Sequence, residues 1–269
     1  MKIDLDKILK EKAPKLSRFT AKILASYLKR IVHQKELNAF LEKNHHLPPV
    51  EFARATLNNL EITYTVHGLD EIDTSKRYLF ASNHPFGGLD GVMLAVILND
   101  KFSDVKVIVN DILMNLVPVA PLFVPINKHG KQNTKYANDY KTAMSSSLPM
   151  LTFPAGLCSR RNKGVITDSV WKPSFIKHAV EFQRDIVPVF CEGKLSNFFY
   201  NLHSFRTKFG IKANLEMLYL ADEMFKQKGQ HFNIYFGEVI PYKQIEEGGT
   251  AREWCQKIRE ISYNLKKQD

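Results

Sequence analysis

The sequence lacks paired cysteines, long apolar runs and an apolar leader. Its three cysteines, Cys158, Cys191 and Cys255, are far apart and form no CxxC pair, which argues against a zinc site. An odd number of cysteines in a chain of 269 residues is typical of a reducing compartment. No apolar run reaches the roughly 18 residues of a spanning helix, and residues 1–4 do not resemble a signal peptide. We therefore expect any contact with a membrane to be peripheral.

Acidic residues are scarce relative to basic ones. The chain has 28 Asp and Glu against 38 Lys and Arg, a formal net charge of +10. Residues 1–50 hold eleven basic and five acidic residues, so the excess is weighted toward the N-terminal end. Such a surface attracts nucleic acid, anionic lipid or an acidic carrier protein. No nucleic-acid-binding fold signature and no basic patch with interleaved aromatics is present, so we expect no nucleic-acid partner.

The hydrophobic periodicity changes along the chain. Residues 15–32 predict a basic amphipathic helix, followed by helices at 35–44 and 49–58. Strands are then predicted at 60–66, 77–82, 105–109, 122–126, 150–153, 186–191 and 231–240, and helices at 91–98, 134–146, 173–183, 197–208, 212–227 and 250–267. This alternation predicts an α/β fold, with a mixed, largely parallel sheet flanked by helices and an N-terminal amphipathic helical appendage. We expect residues 1–58 to form a helical membrane-associating segment and residues 59–269 to form the α/β domain.

The segment from Asn83 to Gly91 is the densest chemical signal. It follows a predicted strand and precedes a helix, at the edge of the sheet where α/β proteins bind ligands. A histidine becomes a useful base when a carboxylate holds one ring nitrogen, and His84 is followed by Asp90 across a turn with Gly87 and Gly88. The alternatives are that Asp90 only caps the helix and that His84 is a structural loop residue.

Two further segments place cations near the ends of strands. Phe153-Pro154-Ala155-Gly156 closes a strand and is followed by Arg160 and Arg161, which could clamp an anion. Asn127 and Lys128, with Lys131 nearby, follow another strand. A solvated basic loop is the alternative in both cases. A fourth segment, residues 186–190, is an apolar strand containing Pro188, which we interpret as a wall of the site.

These four segments, in this order, resemble the glycerolipid acyltransferase superfamily over about residues 80–190. Its best-known members are the lysophosphatidic acid acyltransferases. The resemblance implies that His84 is the general base and Asp90 its partner, and that Lys128 is the closest counterpart of an arginine that binds the acceptor phosphate in the family. Residues 15–44 are similar to the helical pair that rests in the membrane in that family. The substrate-binding residues expected from the four segments are Asn83, Gly87, Gly88, Asn127, Lys128, Phe153, Pro154, Gly156, Arg160 and Arg161.

Three departures from the family pattern concern the acceptor. Five residues rather than four separate His84 from Asp90, which is similar to haemolysin-like members and to ornithine- or amino-acid-lipid acyltransferases. Ala155 replaces a glutamate, and Lys128 replaces an arginine. Because the last two changes fall in segments linked to a glycerol phosphate acceptor, an acylated amino acid or another lyso-lipid is a rival acceptor.

The resemblance implies an O-acyltransferase that moves a fatty acyl group from an acyl thioester to the hydroxyl of a lyso-lipid. The donor would be acyl-coenzyme A or acyl carrier protein, and no metal or other cofactor is expected. The expected partners are a membrane lipid acceptor, an anionic membrane surface and, as a candidate, acyl carrier protein. We expect a peripheral location at the cytoplasmic face of the inner membrane. The alternatives are a hydrolase and a non-catalytic basic protein that binds lipid or nucleic acid.

Overall fold

The N-terminal part of the chain is helical. The computed structural model describes residues 2–13, 17–126 and 134–267. Four helices come first: α1 (Leu5–Lys12), α2 (Arg18–Ile31), α3 (Gln34–Asn44) and α4 (Pro49–Asn59). The side chains of Asp4 and Ser17 cap the first two helices by accepting backbone N–H groups of the first turn. Helix α1 was not predicted from the sequence, and Lys15 and Leu16 of the predicted amphipathic helix lie outside the described residues.

The rest of the chain is built on a seven-stranded sheet. Its strands are β1 (Thr63–His67), β2 (Tyr78–Ser82), β3 (Lys106–Asn110), β4 (Phe123–Ile126), β5 (Met150–Thr152), β8 (Asp185–Cys191) and β9 (His231–Phe236), in the spatial order β1-β9-β8-β2-β5-β3-β4. Five of them, from β8 to β4, are mutually parallel. The β9 strand pairs antiparallel to β8 and parallel to β1. The predicted mixed, largely parallel sheet is therefore confirmed.

Helices cover both faces of the sheet. They are α5 (Leu89–Phe102), α6 (Thr134–Ser145), α7 (Ser174–Glu181), α8 (Asn197–Lys208), α9 (Leu220–Phe225), α10 (Tyr242–Glu247) and α11 (Ala251–Asn264). All residues of β2 are buried, and its side chains alternate between two cores, with Phe80 packed on the α5 and α8 side and Leu79 on the α7 and α11 side. The strand is central, between β5 and β8, so its carboxyl end lies at the middle of the edge where the site is expected.

Three parts of the sequence interpretation were wrong. No strand was predicted for residues 160–167, which form an antiparallel hairpin of β6 (Arg160–Asn162) and β7 (Val165–Thr167). Residues 212–227 were predicted as one helix, whereas a 3-10 turn at Leu215–Tyr219 precedes the short α9. The strand predicted at 231–240 ends at Phe236, and Ile240 returns to pair with Ile186 alone.

Helix α4 packs against the sheet domain. Ala53 and Leu57 belong to the same buried core as Phe80 and Leu94, and Arg54 forms an ion pair with Asp100 of α5 at 2.6 Å. The predicted division between residues 58 and 59 stays a prediction. Among the helices of the described residues, none has the length and apolar character that crossing a bilayer requires.

Candidate active site

The loop after β2 is anchored to the neighbouring strand by Asn83. Its amide Nδ2 donates to the carbonyl of Cys191 at 2.9 Å, and its Oδ1 accepts the backbone N–H of the same residue at 2.7 Å. Asn83 is 3% exposed, so both groups of its amide are used inside the protein. The predicted substrate-binding residue is thus placed as a clamp between the ends of β2 and β8, which sets where the next residue, His84, begins.

His84 and Asp90 form a hydrogen-bonded pair. The distance between His84 Nδ1 and Asp90 Oδ2 is 2.9 Å, and the Asp90 carboxylate is fully buried. Its oxygens also accept the backbone N–H groups of Phe86 at 3.0 Å and Gly91 at 2.9 Å, which fix its orientation. Helix α5 begins at Leu89 with Gly88 at the N-cap, so the alternative in which Asp90 only caps this helix is wrong. An acidic residue in a first turn is also stabilised by the helix dipole.

The environment of His84 favours a base that is held in one orientation. Its ring stacks on that of Phe153, with centroids 4.2 Å apart and planes at 30°. The side chain is 16% exposed, and within the described part of the chain its Nε2 makes no hydrogen bond. Burial lowers the pKa of His84, but the charge and hydrogen bond of Asp90 and the charge of Asp168 together outweigh it, so the net pKa lies above the ordinary value. One ring nitrogen is therefore held while the other remains available to a substrate.

Gly87 and Gly88 form the turn between the base and the helix. Gly87 has φ of +72°, and a Cβ there would lie 3.0 Å from Cys158 Cβ, so a side chain would be both strained and crowded. At Gly88, by contrast, an added Cβ would meet no atom within 4 Å. Neither glycine's N–H donates a hydrogen bond to any atom of the described residues. Both N–H groups therefore lack an acceptor within the described part of the chain.

The turn after β5 borders the same loop. Phe153 contributes the ring against His84, Pro154 accepts the backbone N–H of Lys172 at 3.1 Å, and Gly156 closes the turn with φ of +67°. Residue 155 is a buried alanine, so this point of the turn carries no carboxylate. The structure thus brings the predicted Phe153-Pro154-Gly156 segment together with His84 at the carboxyl edge of the sheet.

The two predicted arginines lie on β6 and have different surroundings. Arg160 Nη1 donates to the carbonyl and the sulfur of Cys158, and Nη2 pairs with Glu216 at 3.3 Å. Its side chain is only 11% exposed. Arg161 lies farther out and donates to Asn197 and Asn201 of α8. Both guanidinium groups are already engaged by protein atoms. The other predicted cations, Lys128 and Lys131, and also Asn127, lie outside the described residues.

Sequence reasoning missed Asp168, which holds the backbone of residues 83–88, the candidate catalytic loop. Its Oδ1 accepts the N–H of His84 at 3.2 Å and the hydroxyl of Ser159 at 2.6 Å, while Oδ2 accepts Trp171 Nε1 at 2.9 Å. Burial raises the pKa of Asp168, and these hydrogen bonds oppose the rise. The residue is 84 positions from His84 in the chain, so no local spacing could reveal the contact.

Glu216 is a second buried carboxylate that the sequence interpretation missed. It is fully buried and contacts three positively charged or protonatable groups: Arg160, His203 at 2.9 Å and Arg206 at 2.8 Å. Although burial alone would raise the pKa of Glu216, these partners lower it to about 2. The cluster joins β6, α8 and the 3-10 turn at Leu215–Tyr219 beside the catalytic loop.

Other catalytic chemistries receive no support from this arrangement. Burial raises the pKa of the Cys158 thiol, which makes it a poor nucleophile despite its contact with Arg160. The described residues contain no group of three His, Cys, Asp or Glu side chains placed to hold a metal ion. The expectation that the reaction needs no metal stays a prediction.

Comparison with known proteins gives a consistent set of matches. A family model described as acyltransferase matches residues 7–269. A lyso-glycine lipid O-acyltransferase of Bacteroides thetaiotaomicron is 44% identical over 264 residues, which are 98% of this chain and 97% of that protein. A lyso-glycine lipid O-acyltransferase of Phocaeicola vulgatus is 41% identical, covering 98% and 95%. Among solved structures, the 1-acyl-sn-glycerophosphate acyltransferase PlsC from Thermotoga maritima is similar, with a TM-score of 0.49 and 13% identity over 94% of this chain and 83% of that chain.

Proposed function

The chain belongs to this acyltransferase family, and on that premise we propose that it transfers a fatty acyl group from a thioester to the hydroxyl of a lyso-lipid, with His84 as the general base. The observation that carries this proposal is the hydrogen bond of 2.9 Å between His84 Nδ1 and Asp90 Oδ2, with Nε2 unpartnered within the described residues. A carboxylate on Nδ1 fixes the tautomer in which Nε2 can accept a proton.

The reaction proceeds by direct transfer. His84 Nε2 removes the proton of the acceptor hydroxyl as its oxygen attacks the thioester carbonyl. When the tetrahedral intermediate collapses, the C–S bond breaks and the imidazolium returns the proton to the departing thiolate. Asp90 stabilises the imidazolium that exists between these two steps. The products are an ester and a free thiol, so no protein nucleophile is required.

The N–H groups of Gly87 and Gly88 are the proposed oxyanion donors. They lie at the start of α5, where the helix dipole also favours negative charge. Loss of one such donor typically costs about 10²-fold or more in turnover, because the donors act on charge that develops only in the transition state. The donors are backbone N–H groups, so substitution of a side chain cannot remove them directly.

We propose that the acceptor is a lyso-glycine lipid. The two named relatives are lyso-glycine lipid O-acyltransferases, and they align with nearly the whole chain. Glycine attached through its amine retains a carboxylate, which is smaller and less charged than a phosphate monoester. Arg160 and Arg161 of the hairpin are the proposed cations for this carboxylate, and the family resemblance adds Lys128. The replacement of the family's glutamate and arginine by Ala155 and Lys128 fits a changed acceptor. Both acyl-coenzyme A and acyl carrier protein fit as donors of the thioester.

The proposed working place is a membrane surface, peripheral to the cytoplasmic face of the inner membrane. Helix α2 exposes Phe19, Ile23 and Tyr27, which are 76%, 56% and 40% accessible. Its exposed basic residues Lys22 and Arg30 can meet anionic head groups at about 1 kcal/mol each. An amphipathic helix of this kind lies in the interface plane rather than across the bilayer.

Lipid mass spectrometry of cells tests the proposed function. A strain without the gene should accumulate a lyso-lipid, and wild type should clear it while the His84→Ala variant should not. The matched control is His46→Ala, which removes an exposed histidine far along the chain. Equal rescue by His84→Ala would reject the catalytic assignment and favour a non-catalytic lipid-binding protein. Loss of thioester without an acylated lipid would identify a hydrolase.

A further inference from the structure

A second exposed apolar surface lies outside the N-terminal helices. We define the aromatic elbow as residues 205–218, which comprise the end of α8, the connecting segment and most of the following 3-10 turn. Every residue from 207 to 215 is exposed. Five apolar side chains of the elbow are at least one-third accessible: Phe205 (56%), Phe209 (63%), Ile211 (37%), Leu215 (38%) and Leu218 (51%). Clustered exposed apolar side chains mark interaction sites.

The charges of the elbow are complementary to an anionic surface. Lys208 and Lys212 are exposed between the apolar residues. The only carboxylate between residues 193 and 218 is Glu216, and it is fully buried in its ion pairs. The elbow therefore presents apolar groups and cations to the outside, without an exposed acid. This combination matches a bilayer that contains anionic lipid.

The elbow adjoins the apolar face of α2. The hydroxyl groups of Tyr27 and Tyr219 are hydrogen-bonded to each other, and the ring of Phe198 contacts that of Tyr219 at 4.9 Å between centroids. The same end of α2 is tied to α9, because His33 pairs with Asp222 at 2.9 Å. The exposed residues of α2 and those of the elbow therefore lie on either side of the contact between Tyr27 and Tyr219.

The base of the elbow is bonded to the catalytic site. Glu216 and Met217 both contact Arg160 of the hairpin. The next residues lead directly to the catalytic loop, since Leu220 Cδ2 lies 3.3 Å from the position that a Cβ on Gly87 would occupy. A surface that entered lipid here would bring the site close to a lipid acceptor.

We infer that the aromatic elbow inserts into the head-group region of an anionic bilayer and forms one docking surface with α2. Phe209 and Ile211 enter the interface, while Lys208 and Lys212 contact lipid phosphates. This inference deepens the proposed function, since it names the membrane contact that would deliver a lipid acceptor to His84. It depends on the proposed function only for the identity of that acceptor, because the docking itself requires no catalysis.

Vesicle flotation of the full chain tests the inference. Vesicles of phosphatidylcholine are compared with vesicles in which about one third is phosphatidylglycerol, an anionic lipid. Wild type should bind the anionic vesicles. The triple variant Phe205→Ser, Phe209→Ser, Ile211→Ser should bind them at least about tenfold more weakly, because it loses three inserting side chains. The matched control is Leu116→Ser with Val117→Ser, which removes exposed apolar groups between β3 and β4 at the far edge of the sheet.

The charge of the elbow is tested separately. Lys208→Glu with Lys212→Glu should abolish the preference for anionic vesicles. Lys177→Glu with Lys243→Glu, on α7 and α10 of the opposite face, makes the same change in net charge and should retain it. Wild-type binding by the elbow variants, equal loss in the matched controls, or no vesicle binding by wild type would each overturn the inference. A wild-type dimer in sedimentation that the triple variant dissociates, with vesicle binding unchanged, would assign the surface to a second copy of the chain.

The test distinguishes docking from catalysis. With the acceptor dispersed in detergent micelles, the triple elbow variant should consume thioester within about twofold of the wild-type rate, since the interface is no longer needed. His84→Ala should lose that activity but bind anionic vesicles as wild type does. A triple variant that is as inactive in micelles as His84→Ala would show that the elbow has no specific docking role. If His84→Ala were active while the elbow variants still lost binding to anionic vesicles, only the catalytic assignment would be rejected.

Discussion

His84 and Asp90 come from one short stretch of chain, and a left-handed glycine and the first turn of α5 bring them together. Asp90 uses both carboxylate oxygens, one on His84 and the Phe86 N–H and the other on the Gly91 N–H. The carboxylate therefore holds its position independently of the imidazole. A base whose partner is rigid needs little reorganisation when it takes up a proton.

Substitution of Asp90 by Asn should change the pH profile. Burial lowers the pKa of His84 and the Asp90 charge raises it, so removing the charge should move the pKa downward. A general base must be neutral, so kcat/KM should rise as the pH passes through the pKa of His84. This rise should occur above pH 6.5 in wild type and at a lower pH in Asp90→Asn. The maximal rate should fall about 10²-fold or more because the tautomer is no longer fixed. Initial rates between pH 5 and 9 measure both effects, and an unchanged profile would contradict the pairing.

Asp168 should act as a positioning residue. In Asp168→Asn, the side-chain NH₂ group replaces one of the two carboxylate oxygens. It then faces either the N–H of Trp171 or the N–H of His84 together with the Ser159 hydroxyl, so the loop that carries His84 is held less firmly. We expect kcat to fall about tenfold or more with a small change in KM, as for other misplaced catalytic groups. The Asp168 charge also raises the pKa of His84, so the pH profile should move downward, which a purely structural role would not cause. Asp70→Asn, an exposed carboxylate, is the control.

Local spacing predicted the His84 and Asp90 pair because the two residues are only six positions apart, and the glycine turn between them limits where their side chains can lie. The same reasoning could not find Asp168, since its contact with His84 closes only through the sheet and hairpin. It also treated Asn83 as a substrate-binding residue, whereas both of its amide groups bond to Cys191. Polar side chains at the ends of neighbouring strands can bond either to the backbone or to a substrate. The sequence alone does not indicate which of these partners a given side chain has.

At the scale of elements, the Glu216 cluster joins three pieces of structure. Arg160 comes from β6, His203 and Arg206 from α8, and Glu216 from the 3-10 turn. With no carboxylate among them, the cations would repel each other in a buried place. The cluster thereby holds the hairpin and α8 against the catalytic loop.

Glu216→Gln should destabilise the protein by roughly 3–5 kcal/mol, the usual cost of leaving buried charges without a partner. In wild type the pKa of Glu216 is lowered from 4.5 to about 2, so its stabilising contribution is present above pH 4.5 and lost as the pH falls toward 2. Urea unfolding at pH 7 and at pH 3 measures both effects, with a difference between wild type and variant that shrinks at the lower pH. Glu238→Gln, an exposed carboxylate, should unfold as wild type does. An equal difference at both pH values would contradict the cluster.

The elements that bear the site were largely predictable, and those that surround it were not. Strand β2 and helix α5 have apolar runs long enough to be recognised. The hairpin of β6 and β7 reads as polar from Arg160 to Gly164, and each of its strands has only three residues, too few to show an alternation. Residues 211–218 expose their apolar side chains and bury Glu216, which is the reverse of the pattern that predicts a helix.

For the whole molecule, the four N-terminal helices contribute unequally to the core. Helix α4 supplies Ala53 and Leu57 to the main core, whereas α2 has Ala25 and Ile31 as its buried residues and exposes much of its surface. Burial of this kind cannot be read from periodicity alone, because an amphipathic helix packed on a protein and one lying on a membrane have similar patterns. The order of the strands, with β9 inserted antiparallel beside β8, was equally hidden in the sequence.

Two truncations should separate the proposed membrane-associating segment from the folding unit. Removal of residues 1–46 should leave a protein that unfolds cooperatively, because α4 and the core remain. Removal of residues 1–59 takes away Leu57, whose loss alone is worth about 2–5 kcal/mol, together with Ala53 and the Arg54 ion pair to Asp100. Guanidinium unfolding followed by fluorescence compares the two. Equal stability of both truncations would support a boundary at residues 58 and 59 instead.

Single-turnover acyl transfer is the measurement that tests the central claim, a general base at His84, most directly. Purified wild type and His84→Gln are each mixed with a radiolabelled acyl thioester and a lyso-glycine lipid in micelles, and the ester and the released thiol are followed together. Wild type should form both products in equal amounts, and His84→Gln should form them at least about 10³-fold more slowly, with circular dichroism and thioester binding unchanged. A His84→Gln protein that transfers the acyl group at a rate near that of wild type would contradict the assignment of the base.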